Sequence, residues 1–197
     1  MSKERILESA KTLFMRFGER SISMDDIAKE SIVSKKTIYQ HFENKESLLL
    51  TIVKNEIVEW DTFKAELAAK KESAVIKIYR YNEFVKTRIL NFNPLFIIQV
   101  SKYYRAIETE INTAADSNQT FIEGLYRELK RSNLLNDWVD ISSAVKVQRV
   151  LNKLFIENCA LDKKNAVNAH LHLIQSNFFG MLTTSACEEL QHFISQN

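Results

Sequence analysis

The chain has 197 residues, with 27 Lys and Arg against 25 Asp and Glu, a formal net charge of +2. So even a balance excludes a charge-driven wrapper of nucleic acid, and 45% apolar residues argue against disorder. Three glycines and one proline are too few for the turns of a β-sandwich or an α/β enzyme, so long helices with few loops are expected.

The first predicted helix places Ile6, Leu7, Ala10, Leu13, Phe14 and Phe17 on one face. Gly18 follows at the position of a C-terminal cap. Ser23 then offers an N-cap, with Asp26 placed to reach back and Ile22 and Ile27 spaced as a hydrophobic staple. The same grammar returns at Ser34, with Val33 and Ile38 as its staple. Two short helices, joined by a brief turn at residues 31–33 and preceded by a longer one, make a helix-turn-helix. Asn44 caps a long fourth helix carrying Ile52, Glu56, Trp60, Phe63 and Leu67.

A fifth helix runs through Val75, Ile78, Tyr79, Phe84, Val85 and Ile89, and Asn93-Pro94 starts a sixth. Tyr104 to Leu129 keeps helical spacing across the polar patch Asp116–Gln119, as one long helix or as two with a kink. Ser132-Asn133 offers a C-cap. Asp140 caps a helix through Leu151, Leu154 and Phe155. A last helix starts near Lys164 and passes Leu171, Ile174, Phe178 and Leu182. The expected fold is all-α, with about nine helices in two domains: a three-helix helix-turn-helix domain over residues 1–48 and a helical domain over 49–197.

Positive charge is focused on the third helix. Residues 34–45 hold Lys35, Lys36 and Lys45 against Glu43 alone. The N-terminus of such a helix suits the major groove, where Lys35 and Lys36 donate to guanine O6 and N7. Thr37 reaches a base edge or a phosphate, and Gln40 reads adenine or faces solvent. Ile38 and Phe42 belong to the core.

The stretch Arg5–Leu50 resembles the DNA-binding domain of the TetR family of transcriptional regulators. The residues carrying the likeness are Ile6-Leu7-Glu8-Ser9-Ala10, Leu13-Phe14, Phe17-Gly18, Ser23-Met24-Asp25-Asp26-Ile27-Ala28, Val33-Ser34-Lys35-Lys36-Thr37-Ile38-Tyr39-Gln40-His41-Phe42 and Asn44-Lys45-Glu46-Ser47-Leu48-Leu49. The resemblance implies a DNA contact set of Ser34, Lys35, Lys36, Thr37, Tyr39, Gln40, His41 and Lys45, with Tyr39, His41 and Lys45 on backbone phosphates. It further implies a ligand-responsive regulator, a repressor acting as a homodimer on a palindromic double-stranded operator. In one respect the chain departs from the family pattern: Ile32 stands where the turn usually has Gly. A β-branched residue disfavours positive φ, so a remodelled turn is expected.

For the second domain the resemblance implies an effector site and a dimer face. Aromatic residues suit a pocket for an apolar or aromatic small molecule, and Tyr79, Phe84, Phe96, Tyr103, Phe121, Tyr126 and Phe155 are its candidates. Leu171, Ile174, Phe178, Gly180, Met181 and Leu182 are the candidates for the dimer interface, where a small Gly180 permits close helix approach.

Other chemistries find no footing. No Gly-rich phosphate loop, nucleophile elbow or Cys/His ligand cluster is present, so no catalytic residue, cofactor or metal is expected. His170 and His172, at i and i+2, point to opposite sides of a helix and cannot share an ion. Cys159 and Cys187 are expected as buried thiols. No stretch approaches the ~20 apolar residues of a membrane span, no signal-peptide core follows Met1, and a cytoplasmic protein is expected. The alternative to a regulator is a helical protein-interaction or lipid-binding module with a vestigial DNA-binding domain.

Overall fold

The computed structural model describes residues 2–91, 93–159 and 163–196. Its helices are α1 (Ser2–Phe17), α2 (Met24–Ser31), α3 (Lys35–His41), α4 (Lys45–Ala69), α5 (Ala74–Asn91), α6 (Pro94–Tyr103), α7 (Arg105–Arg131), α8 (Ile141–Cys159), α9 (Lys163–Met181) and α10 (Thr184–Gln196). A single 3-10 turn, Glu19–Ser21, follows α1. Among the described residues there is no strand, only an isolated bridge between Leu135 and Leu182.

The start signals read from the sequence operate as written. Ser23 and Asp26 form a reciprocal capping box: the Asp26 amide donates to Ser23 Oγ at 3.2 Å, and the Ser23 amide donates to Asp26 Oδ2 at 2.9 Å. The two donors of Ser23 hold the Asp26 carboxyl below its usual range. Ser34 Oγ accepts from the Thr37 amide at 3.0 Å. Asn44 Oδ1 accepts from the Ser47 amide at 2.8 Å while Ser47 Oγ accepts from Asn44. Each bond satisfies an amide that a helix start leaves without an intrahelical partner.

The chain forms two compact units, residues 1–61 with 92–114, and residues 62–91 with 115–197. The division expected near residue 48 is therefore not a single cut, because α6 and the first part of α7 pack with the N-terminal helices. Phe96, Val100 and Ile107 share one buried cluster with Ile6, Phe14, Ile27, Ile38, Leu48 and Ile52. Phe14 and Phe96 stack with ring centres 6.0 Å apart, and Asn93 Nδ2 donates to the Met15 carbonyl at 3.0 Å. Gly18 lies beside Gln99 of α6. Its φ of 81° and ψ of 158° fall in a region used almost exclusively by glycine, and a Cβ there would stand 3.2 Å from Gln99 Oε1.

The turn between α2 and α3 is not remodelled. Ile32 takes the left-handed conformation, φ 51° and ψ 48°, and its amide donates to Lys29 O and reaches Ala28 O. Its side chain is 76% exposed, so no burial offsets the strain of placing a β-branched residue there.

In the second unit α7 runs unbroken through Asp116–Gln119. The patch keeps its helical backbone because neighbouring helices use its side chains: Arg149 of α8 donates to Asp116 Oδ1 at 2.8 Å and Gln119 Oε1 at 2.7 Å, and Lys64 of α4 donates to Ser117 Oγ at 2.9 Å. Asn133 closes the helix with φ 55°, as the C-cap reading required, and the Leu134 amide donates back to Leu129 O. The stretch expected as one last helix is two. A break after Met181 separates α9 from α10, and the Thr183 carbonyl accepts from the Cys187 amide at the start of α10.

Candidate nucleic-acid interface

The short helix α3 is held by its core side. Ile38 is fully buried and Phe42 is 3% exposed, so both are core as expected. The helical period then turns Ser34, Lys35, Lys36, Tyr39, Gln40 and His41 outward, and all six are exposed, with Thr37 half-buried beside the Ser34 cap. Seven of the eight candidate DNA contacts thus lie on or cap α3, and the eighth, Lys45, opens α4.

The three lysines are not equivalent. Lys35 Nζ pairs with Asp25 Oδ2 at 2.9 Å, both side chains being more than half exposed, and the hydrogen bond raises the lysine's pKa. Such a surface pair contributes little and is readily exchanged. Lys36 has no ion-pair partner among the described residues. Lys45 Nζ meets Glu19 Oε1 at 2.8 Å, donates to the Glu19 carbonyl at 2.6 Å and lies 5.6 Å from the Phe14 ring centre. Glu19 is a residue the sequence reading missed, since the pairing spans 26 positions and no local spacing announces it.

The second unit sorts the aromatic candidates differently from the sequence. A cavity of about 20 Å³ is lined by Tyr79, Asn82 and Glu83 of α5, Phe155 of α8, and Ile174, Gln175 and Phe178 of α9, among others. That volume holds about one water. Of the pocket candidates, Tyr79 and Phe155 line it. Tyr126 packs edge-on against Phe178 with centres 6.3 Å apart, Phe121 packs against Tyr81 at 6.0 Å, and Phe84 stacks flat on Phe63 at 3.8 Å. Burial pushes the Tyr81 and Tyr126 hydroxyls above their ordinary range, so both stay neutral donors. Phe96 and Tyr103 are corrections. Both belong to the first unit, Phe96 in its core and Tyr103 exposed beneath the Arg20 guanidinium at 4.3 Å.

The interface candidates differ in exposure within the single chain. Ile174, Phe178, Met181 and Leu182 are 4–7% exposed within the subunit itself, where Phe178 packs on Tyr126 and Leu182 bridges Leu135. Gly180 is exposed, and the side chain of Leu171 lies outside the described residues. An outward apolar face consists of Val147, Val150 and Leu154 of α8, at i, i+3 and i+7, with Leu173 of α9, all between 47% and 56% exposed. The inward face of α8 carries Ala144, Val145, Gln148 and Phe155, so this helix is apolar on two sides.

Comparison with known proteins bears on this arrangement. Residues 6–52 match the sequence model of bacterial regulatory proteins, tetR family. That match marks residues 6–52 as a DNA-binding domain of the tetR type. It is 29% identical over 152 residues to the HTH-type transcriptional regulator QacR of Staphylococcus aureus, covering 74% of this chain and 79% of that one. Over 53 residues it is 36% identical to the negative transcriptional regulator IcaR of the Staphylococcus epidermidis biofilm operon, covering 27% of this chain and 29% of that one. Among solved structures, a TetR-family regulator from Agrobacterium tumefaciens superposes with a TM-score of 0.79 at 15% identity, covering 92% of this chain and 98% of that one. A putative regulator from Saccharomonospora viridis, solved with choline, gives 0.73 at 20%, covering 92% and 97%. These likenesses establish the fold, and the motif match establishes the DNA-binding domain and the role of a transcriptional regulator.

Proposed function

We propose that this TetR-family regulator is a homodimeric repressor whose α3 helices read a palindromic operator and whose second unit takes a small-molecule effector. The observation that carries the DNA reading is the double-capped α2–α3 pair. It buries Ile38 and Phe42 and turns Lys36, Thr37, Tyr39, Gln40 and His41 out from one short helix. Lys35 and Lys36 approach base edges, Tyr39, His41 and Lys45 bind phosphates, and Ser34 keeps the helix start in register. Two such helices enter successive major grooves with half-sites ~34–36 Å apart or a multiple of that spacing.

Dimerisation uses the outward face of Val147, Val150, Leu154 and Leu173, which a second copy covers. The effector enters between α5, α8 and α9, against Tyr79, Phe155 and Phe178, with Asn82, Glu83 and Gln175 as its polar contacts. A ligand site needs roughly 300–1,000 Å³, so the small cavity has to widen. That widening is the conformational event an effector selects, and α4 and α7, each with residues in both units, carry it toward the first. No described helix is long and apolar enough to cross a bilayer, and DNA as the partner places the regulator's work in the cytoplasm.

Selection of binding sites from random duplex DNA by the full chain, followed by fluorescence anisotropy on the enriched sequence, tests the reading. A two-fold symmetric site bound by two chains is expected. Enrichment of no sequence, with only salt-sensitive binding to every duplex, would reject it.

A further inference from the structure

The least ordinary group near the DNA-reading edge is the carboxylate of Glu19, 4% exposed in the turn after α1. Two elements hold it. Tyr104, between α6 and α7, donates its hydroxyl to Glu19 Oε1 at 2.7 Å, and the Glu19 amide donates to Gln99 Oε1 of α6 at 3.2 Å. Arg20, next in the same turn, lies over the Tyr103 ring at 4.3 Å. The same Oε1 that accepts from Tyr104 faces Lys45 Nζ at 2.8 Å, and Lys45 also donates to the Glu19 carbonyl.

An ammonium group has three protons to donate, and Glu19 engages Lys45 twice. A phosphate drawn toward Lys45 also meets the Glu19 charge at close range, in a site too enclosed for solvent to screen it well. The lysine that the charge pattern of residues 34–45 offers to DNA is thus already neutralised from position 19. We propose that Glu19 is a positioning residue that withholds Lys45 from DNA phosphate, and that Tyr104 and Gln99 keep it in that position. The strength of DNA binding is then set in part by where α6 and its junction with α7 hold the Glu19 turn. The inference rests on the reading of Lys45 as a phosphate ligand.

The test measures binding of the full chain to a short mixed-sequence duplex over a range of salt. Such binding is governed by counterion release, with a slope of ≈ −0.9 per phosphate neutralised. Glu19→Gln keeps an oxygen for Tyr104 and Lys45 but removes the charge. It is expected to steepen the slope by ~0.9 per chain, making binding ~8-fold more responsive to each tenfold change in salt. The steepening should vanish in the Lys45→Ala background. Tyr104→Phe, which loosens the carboxylate without removing it, should move the slope the same way by less, and it decides the matter should Glu19→Gln fail to fold. An unchanged or shallower slope in Glu19→Gln, or equal steepening with Lys45 absent, overturns the proposal. If Lys45→Ala flattens the wild-type slope while Glu19→Gln leaves it unchanged, Lys45 binds phosphate freely and only the role of Glu19 fails. If neither Lys45→Ala nor Glu19→Gln changes it, the phosphate role of Lys45 fails first.

Discussion

The helix-turn-helix and the α8–α9 region are built from the same material, amphipathic helices with aromatic anchors, yet they divide the labour of their side chains differently. In α3 a single buried stripe fixes the helix, and everything outside it is polar and presented. In α8 and α9 there are two apolar faces, one closing on Tyr79 and Phe155 and one left outward. Where one face is apolar, the hydrophobic period alone tells inside from outside. Where two are, the period cannot say which face meets the chain's own core and which meets another copy.

Exchanging the two faces of α8 and α9 is the hardest blow to that contrast. Phe178→Ala removes a 4% exposed ring packed on Tyr126, and it should lower unfolding free energy by about 3–5 kcal/mol in a denaturant titration. A variant that melts like wild type but dissociates would return Phe178 to the interface. Leu154→Asp, on the outward face, should do the reverse. Half exposed in the single chain, Leu154 leaves subunit folding nearly intact, while two copies of a lost contact weaken self-association by about 3 kcal/mol, ~100-fold, in sedimentation equilibrium. Loss of folding without loss of association would contradict the face assignment.

A smaller effect sharpens the other side of the comparison. Ile32 holds a left-handed φ of 51° with its side chain in solvent. Ile32→Gly should therefore raise thermal stability, by about 1 kcal/mol, since relief of a β-branched residue in that region is worth more than the added freedom of the unfolded chain. A lower melting temperature would mean that the exposed side chain makes a contact worth more than its strain.

The difference between the two regions also explains what the sequence disclosed. The caps at Ser23, Ser34 and Asn44 act over three residues, so their spacing is their structure. The placement of Phe96 against Phe14 spans the whole first unit, and nothing in its local pattern separates it from Phe121 or Phe155. The same holds for the Glu19–Lys45 pair. The start of α10 was overlooked because Leu182-Thr183 carries neither Gly nor Pro, although the polar run Thr183-Thr184-Ser185 is itself a cap signal. The α7 patch left two readings open, which the partners Lys64 and Arg149 resolve.

The account stands on α3 as the element that reads base sequence, and Lys36, exposed and without an ion-pair partner among the described residues, is its sharpest point. The direct measurement is the affinity of wild type and Lys36→Ala for the selected site and for a shuffled duplex at one salt concentration. The account predicts that Lys36→Ala narrows the difference between the two by about 1–3 kcal/mol, with the selected site losing most. An equal loss on both duplexes would make Lys36 a phosphate contact and contradict base reading by the start of α3.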